Sequence, residues 1–400
     1  MRNLTIMVGL LALGAVLWLV QASDTVFLSA DQDKEGPRPS WIARLWTANV
    51  ALEKLTVSSE KLGLTLADQK PLTAHRVRAF TRHDGTLVWH GTLSAAGEAA
   101  PATGTLTAAM NNIVLFSWKG RATGTLRWNG QVYRLLPTAQ GYVLEEVNGA
   151  QLPPDHTPDE TMASASHPTT NPKAHEPGHA TIRVLIVATK NAAEAHEDLP
   201  ALARLAIEES NFTYLNSDIN MSLELADFRQ LDYQQGSSPD IDLRRLVATN
   251  DGYMDGVHPM RDDLDADVVV LVVDTIMEMC GRAQARPATS ESAFVYVNLK
   301  CIGVSRYTTG HEIAHLQGAS HEYSEGSNDP FLHGHGYIHQ PDDQAGWRTV
   351  MATVATQSDV RLPFWSDPER YMNGDPMGDA ETADNRRLLE ETKWTVAGFR

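Results

Sequence analysis

His311-Glu312-Ile313-Ala314-His315-Leu316-Gln317-Gly318-Ala319-Ser320-His321 is the stretch from which the rest of the chain can be read. If its first half is helical, the imidazoles at i and i+4 share one face and can reach a single zinc ion. Glu312 then projects beside them, where a general base would meet a water at the metal. Gly318 tolerates the left-handed backbone with which helices commonly end, so the chain can turn back and deliver His321 as a third ligand. Three protein ligands leave one position open, as in catalytic zinc sites and unlike closed structural ones.

Working outward, the segments before this motif alternate between strand and helix patterns. Ile182 to Val187, Met221 to Leu225, Asp267 to Val273 and Ala293 to Val297 are apolar, β-prone runs, and about Leu199 to Leu215 carries apolar residues at spacings of three and four. The pattern predicts an α/β unit over 181–400. Downstream lies Gly346-Trp347-Arg348-Thr349-Val350-Met351-Ala352-Thr353.

A zinc motif of this length followed by a methionine turn resembles the metzincin peptidases. The resemblance implies a zinc metalloendopeptidase with a mixed α/β (α+β) catalytic domain, built on a twisted, mostly parallel sheet and a zinc helix. It implies His311, His315 and His321 as ligands of one catalytic zinc, Glu312 as general base, and Met351 as a packed, non-ligating floor beneath the histidines. Extended peptide would add as a strand along Ala293 to Val297. Within the clan, Arg361-Leu362-Pro363-Phe364-Trp365-Ser366-Asp367-Pro368 and Ala383-Asp384-Asn385-Arg386-Arg387 are similar to the tails of bacterial reprolysin-like enzymes, including the peptidyl-Asp metallopeptidases. The likeness covers roughly 181–400. Two positions depart: Glu322 stands where reprolysin-like members usually carry Asp, and Thr353 where astacin-like members carry a tyrosine. The acidic preference of the peptidyl-Asp relatives makes Arg361 a candidate specificity residue. The alternative is a structural or solvated arginine.

The N-terminal half reads differently. Residues 1–22 combine a basic start, an apolar run from Leu4 to Val20 and small residues at a cleavage site, as an export signal does. An uncleaved anchor is the alternative. Short β-prone runs broken by glycine occupy about 72 to 148, so 23–151 is expected to be a small β-rich domain. Residues 152–180 are rich in Pro, Ser, Thr and His and read as an exposed linker, whose His156, His167, His175 and His179 could bind metal but are expected to be solvated.

Charge separates the halves as well. The net charge is −17; residues 181–400 hold 18 Lys+Arg against 35 Asp+Glu, whereas 61–134 hold 9 against 3. An acidic surface disfavours nucleic acid, and the opposed signs favour docking of the β-rich domain as an intramolecular inhibitory propeptide. A secreted or periplasmic zymogen acting on peptides or proteins follows, without a stable membrane span once the signal is cleaved. The other reading is a surface or periplasmic protein that retains its β-module as a binding domain, with a self-processing or inactive zinc site. In an oxidising compartment Cys280 and Cys301 are expected to pair. The acidic stretch Asp262, Asp263, Asp265 and Asp267 invites calcium but lacks the Asp-x-Asp-x-Asp-Gly loop. His333, His335 and His339 have no ligand-spaced partner and are expected to be hydrogen-bonded or exposed.

Overall fold

The computed structural model describes residues 26–34, 36–67, 71–156, 178–275, 279–325, 329–341, 346–353 and 360–400. The expected export signal and residues 157–177 of the expected linker lie outside them. Among the described residues no helix is long and apolar enough to cross a membrane.

The β-rich half is a closed barrel. Its strands are β1 (Val26–Asp33), β2 (Ile42–Val50), β3 (Lys61–Thr65), β4 (Leu72–Thr81), β5 (Leu87–Ala95), β6 (Asn112–Trp118), β7 (Arg121–Trp128), β8 (Gln131–Thr138) and β9 (Gly141–Val147). Strands β3 to β9 follow one another as antiparallel neighbours, β2 pairs with β9, and a parallel β1–β3 pairing closes the ring. Closure leaves no exposed sheet edge. Phe27, Leu64, Trp89, Leu115, Leu126 and Leu144 fill the interior.

The C-terminal half is mixed α/β, as expected. Strands β10 (Ala180–Ala188), β11 (Met221–Gln230), β12 (Val268–Val273), β13 (Gly281–Ala283) and β14 (Phe294–Asn298) form a sheet in the order β11-β10-β12-β14-β13. All its pairings are parallel except β13–β14. The unbroken apolar run of β12 has a direct cause. Val268, Val270 and Val272 face one hydrophobic cluster while Val269, Leu271 and Val273 face another, so both faces of the strand are covered.

Helix Leu199–Asn216 crosses from β10 to β11, capped by Asp198, whose side chain accepts from Ala201 N. It lies between sheet and barrel, which explains its burial on nearly all sides. Its Glu208 receives two hydrogen bonds from Arg82 of the barrel, at 2.6 and 2.9 Å. Glu209, buried and with its carboxyl pushed up to about 7 by desolvation, accepts from Gly303 N and Ser305 N. Those bonds fix the loop that leads into helix Thr308–Gln317, which carries the motif.

One expectation about the sheet needs correction. The run before the motif, now β14, is flanked on both sides; the edge strand next to it is β13, only three residues long, and β11 forms the opposite edge. The apolar run is interior because both its neighbours shield it, and the edge strand Gly281-Arg282-Ala283 passes against Glu312.

Candidate zinc and substrate site

Helix Thr308–Gln317 is buried throughout and presents His311 and His315 one turn apart. It ends at Gly318, whose φ of +105° is left-handed as the sequence requires. The amide of Ala319 returns to Ala314 O at 2.9 Å, and the chain reverses into β15 (Ser320–Glu322), bringing His321 back over the helix.

The three imidazoles converge. Nε2 of His321 lies 3.3 Å from Nε2 of His311 and 3.0 Å from Nε2 of His315. Two nitrogens bound tetrahedrally to one zinc at about 2.0–2.1 Å would be roughly 3.3 Å apart, so the donor set fits that ion. The opposite ring atoms are anchored. His311 Nδ1 donates to Val350 O at 2.9 Å and His315 Nδ1 to Ala319 O at 2.7 Å, which leaves both Nε2 lone pairs facing the cluster. Burial, then the neighbouring imidazoles, holds all three histidines well below the usual range, in the neutral form that binds metal.

Glu312 is also buried, with its carboxylate beside the cluster. Met351 is wholly buried in the turn next to Val350, the residue that anchors His311. Glu322 reaches across from β15 and accepts from Thr353 N at 2.8 Å, tying the third histidine's strand to the exit of that turn.

A fourth imidazole joins these three. His156 belongs to the expected linker, yet its Nε2 lies 2.9 Å from His311 Nε2, and the ligand atoms of His156, His311, His315 and His321 all fall within 4.8 Å of one another. The expectation that His156 is solvated is therefore corrected: Leu152, Pro153 and Asp155 around it are buried against the cleft.

Beside the histidines, Asp155 fills a pocket of three arginines. Arg361 embraces it with Nη1–Oδ1 at 3.2 Å and Nη2–Oδ2 at 2.7 Å, Arg306 adds a bond of 2.9 Å, and Arg348 one of 3.1 Å. Burial by itself would raise the Asp155 carboxyl, but the three guanidiniums, Arg361 foremost, hold it far below the usual carboxylate range. Arg361 is buried too, which pulls its guanidinium down to about 9 against the opposing charge of Asp155. It remains cationic at neutral pH. The pocket's frame is backbone: Arg361 and Arg348 both donate to Ala352 O, at 2.8 and 2.6 Å.

A disulfide joins Cys280 to Cys301 with a Cα separation of 5.5 Å. Cys280 N, at the start of the edge strand, donates to Pro154 O at 2.8 Å. The bond thus braces the strand against which residues 153–155 lie.

Comparison with known proteins accords with this geometry. The reprolysin-type model described as Metallo-peptidase family M12 matches residues 174–363. The peptidyl-Asp metalloendopeptidase of Stenotrophomonas maltophilia K279a is 37% identical over 83% of this chain and 81% of its own. That of Xanthomonas campestris pv. campestris is 34% identical over 88% of this chain and 86% of its own. This chain belongs to the peptidyl-Asp metalloendopeptidase family. It is a zinc metalloendopeptidase, and kinship along most of the chain disfavours a non-enzymatic binding protein. Among solved structures, metalloproteinase-II from Bacteroides fragilis aligns with 76% of this chain and 86% of its own at 11% identity and a TM-score of 0.41, a likeness too slight to bear on the fold.

Most of the residues that the sequence singles out come together in this cluster, but not all of its members are among them. The structure brings together His311, Glu312, His315, His321, Met351 and Arg361. The sequence does not single out Arg306, Arg348 or Asp155, and it reads His156, set off by two prolines within a polar tract, as solvated. The histidines that follow the motif have local partners: His335 bonds Asp329 at 2.8 Å, and His333 and His339 lie near Glu391 and Asp375. Of the acidic stretch, Asp267 accepts from Arg183 N and Arg400 N, and Asp262 pairs with Arg400.

Proposed function

We propose that this chain is an exported zymogen whose mature form cleaves peptide bonds next to acidic residues, preferentially Asp. The observation that carries the preference is the cage of Arg306, Arg348 and Arg361 around one carboxylate, directly beside the imidazole cluster. Three guanidiniums converging on a buried pocket repel cations and leave donors unsatisfied around an apolar side chain, so an aspartate is strongly favoured.

His311, His315 and His321 would hold the zinc, which when bound supplies Lewis-acid polarisation of the scissile carbonyl and a more acidic water. Glu312 takes the proton of the attacking water and passes it to the departing amine, so no covalent enzyme intermediate is needed. Val350 and Ala319 keep the imidazoles oriented during turnover through their carbonyls. The outer edge of β13, along which residues 154 and 155 now lie, is the strand on which an extended substrate can take their place. Export is supported by residues 1–22 and by the disulfide, which suits an oxidising compartment. Latency is supported by the barrel's seat against the catalytic half.

The preference is tested by hydrolysis of matched Asp and Ala peptides. The Arg361→Ala enzyme is expected to lose roughly 10–100-fold of the kcat/KM ratio, the scale of one bidentate charge-assisted pair. An unchanged ratio removes Arg361 from specificity.

A further inference from the structure

We infer that Asp155 and His156 form a two-pronged latch: His156 is the fourth metal ligand of the uncleaved chain, and Asp155 fills the pocket meant for the substrate's carboxylate. The inference rests on the zinc and specificity roles proposed above.

Three observations converge on it. The His156 imidazole is packed among the three expected ligands, with ring centroids 5.0, 5.6 and 4.4 Å from those of His311, His315 and His321. Its Nε2 lies 3.7 Å from Glu312 Oε1, in the space where a water would have to meet the base. The preceding residue engages all three guanidiniums of the pocket.

The segment is also held at its back. Leu152 packs with Trp41, Ile42 and Val147 of the barrel and Val304 of the catalytic half. The carbonyl of Pro154 accepts from Cys280 N on the edge strand. Pro153 and Pro154 restrict the backbone, so little freedom is lost when the two side chains seat.

The consequence is chemical. Four imidazoles close a zinc site, as in structural centres, and leave no position for water or a carbonyl. Because latch and site share one chain, the effective concentration of the latch is high, and no cysteine is required. Once the segment departs, an open coordination position and an uncompensated cationic pocket appear together. Whatever recognises acidic substrate is thus the same structure that recognises the latch.

The test uses the full chain, with Glu312→Ala to prevent self-cleavage, loaded with cobalt(II) in place of zinc. Acetohydroxamate, which needs an open coordination position, is titrated against the visible cobalt spectrum. The spectrum of the latched chain is expected to resist the probe, while adding His156→Ala makes it respond at concentrations at least tenfold lower. Asp155→Ala, which leaves the imidazole in place, is expected to respond at intermediate concentrations. Should His156→Ala fail to fold, Asp155→Ala and His156→Gln give the same ordering by the same readout. Equal response by the latched and substituted chains overturns the latch but leaves the peptidase reading intact. Failure of every chain to bind cobalt, with His311→Ala no different, overturns the underlying zinc site instead.

Discussion

A Cβ added at position 281 would lie 2.7 Å from both Cγ and Cδ of Glu312, closer than any real carbon contact. The edge strand therefore passes directly over the proposed base, and only glycine leaves that carboxylate room. Gly281→Ala is expected to lower kcat on the order of 100-fold by displacing Glu312, with zinc content and unfolding midpoint little changed. A kcat within a factor of three of the parent would show that Glu312 is not held where the mechanism needs it. At this scale legibility followed locality. His311, Glu312, His315, Gly318 and His321 lie within one turn-and-return of chain, so spacing alone announced them. Arg306 sits in a loop, and Arg348 meets Arg361 only through the pairing of two short strands, Trp347–Arg348 and Val360–Arg361, too brief for any periodicity to link the three.

Among the elements, strong patterns were read correctly and short ones were not. The runs that became β10, β12 and β14 stood out because each is buried on both faces. Strand β13 has three residues, one of them glycine, too few to show alternation. Its position is fixed instead by Cys280 and by pairing with β14. Closing a loop across a sequence separation of 21 contributes about 3 kcal/mol by loop entropy. The double variant Cys280→Ser, Cys301→Ser is expected to lose about that much in denaturant unfolding. Its KM for peptides is expected to rise as the edge strand loosens. Stability unchanged within about 0.5 kcal/mol would mean that the disulfide braces nothing that the fold does not already hold.

For the whole molecule, the opposed charges of the two halves foretold docking but not its details. Arg82 of the barrel pairs with Glu208, yet Asp84 pairs with Arg204 in the reverse sense, so the interface is a set of specific contacts rather than one field against another. The barrel also reaches the arginine pocket: Arg127 Nη1 donates to Arg361 O at 2.6 Å. At the same interface the buried His90 ring packs edge-on against Phe212 of the catalytic half, with centroids 5.2 Å apart. Burial, then the charges of Arg82 and Arg78, lowers its pKa from 6.5 to about 3. The folded chain thus keeps His90 neutral where the unfolded chain protonates it. Its contribution to stability is complete above pH 6.5 and is lost as pH falls toward 3, at up to about 1.4 kcal/mol per pH unit. His90→Phe, which keeps the ring contacts and removes the proton, is expected to flatten the acid limb of the unfolding midpoint between pH 6 and 4 (about the window set by this linkage). Parallel acid limbs for parent and variant would exclude His90 as the acid-sensitive contact.

The most direct test of the whole account is hydrolysis of a mixed peptide library by the processed enzyme, with and without chelator, beside a Glu312→Ala control. Cleavage beside Asp that stops with chelator and falls by roughly 100-fold or more in the control is the expected result. Cleavage that persists in the control, or processed enzyme that carries stoichiometric zinc and cuts nothing, would contradict it.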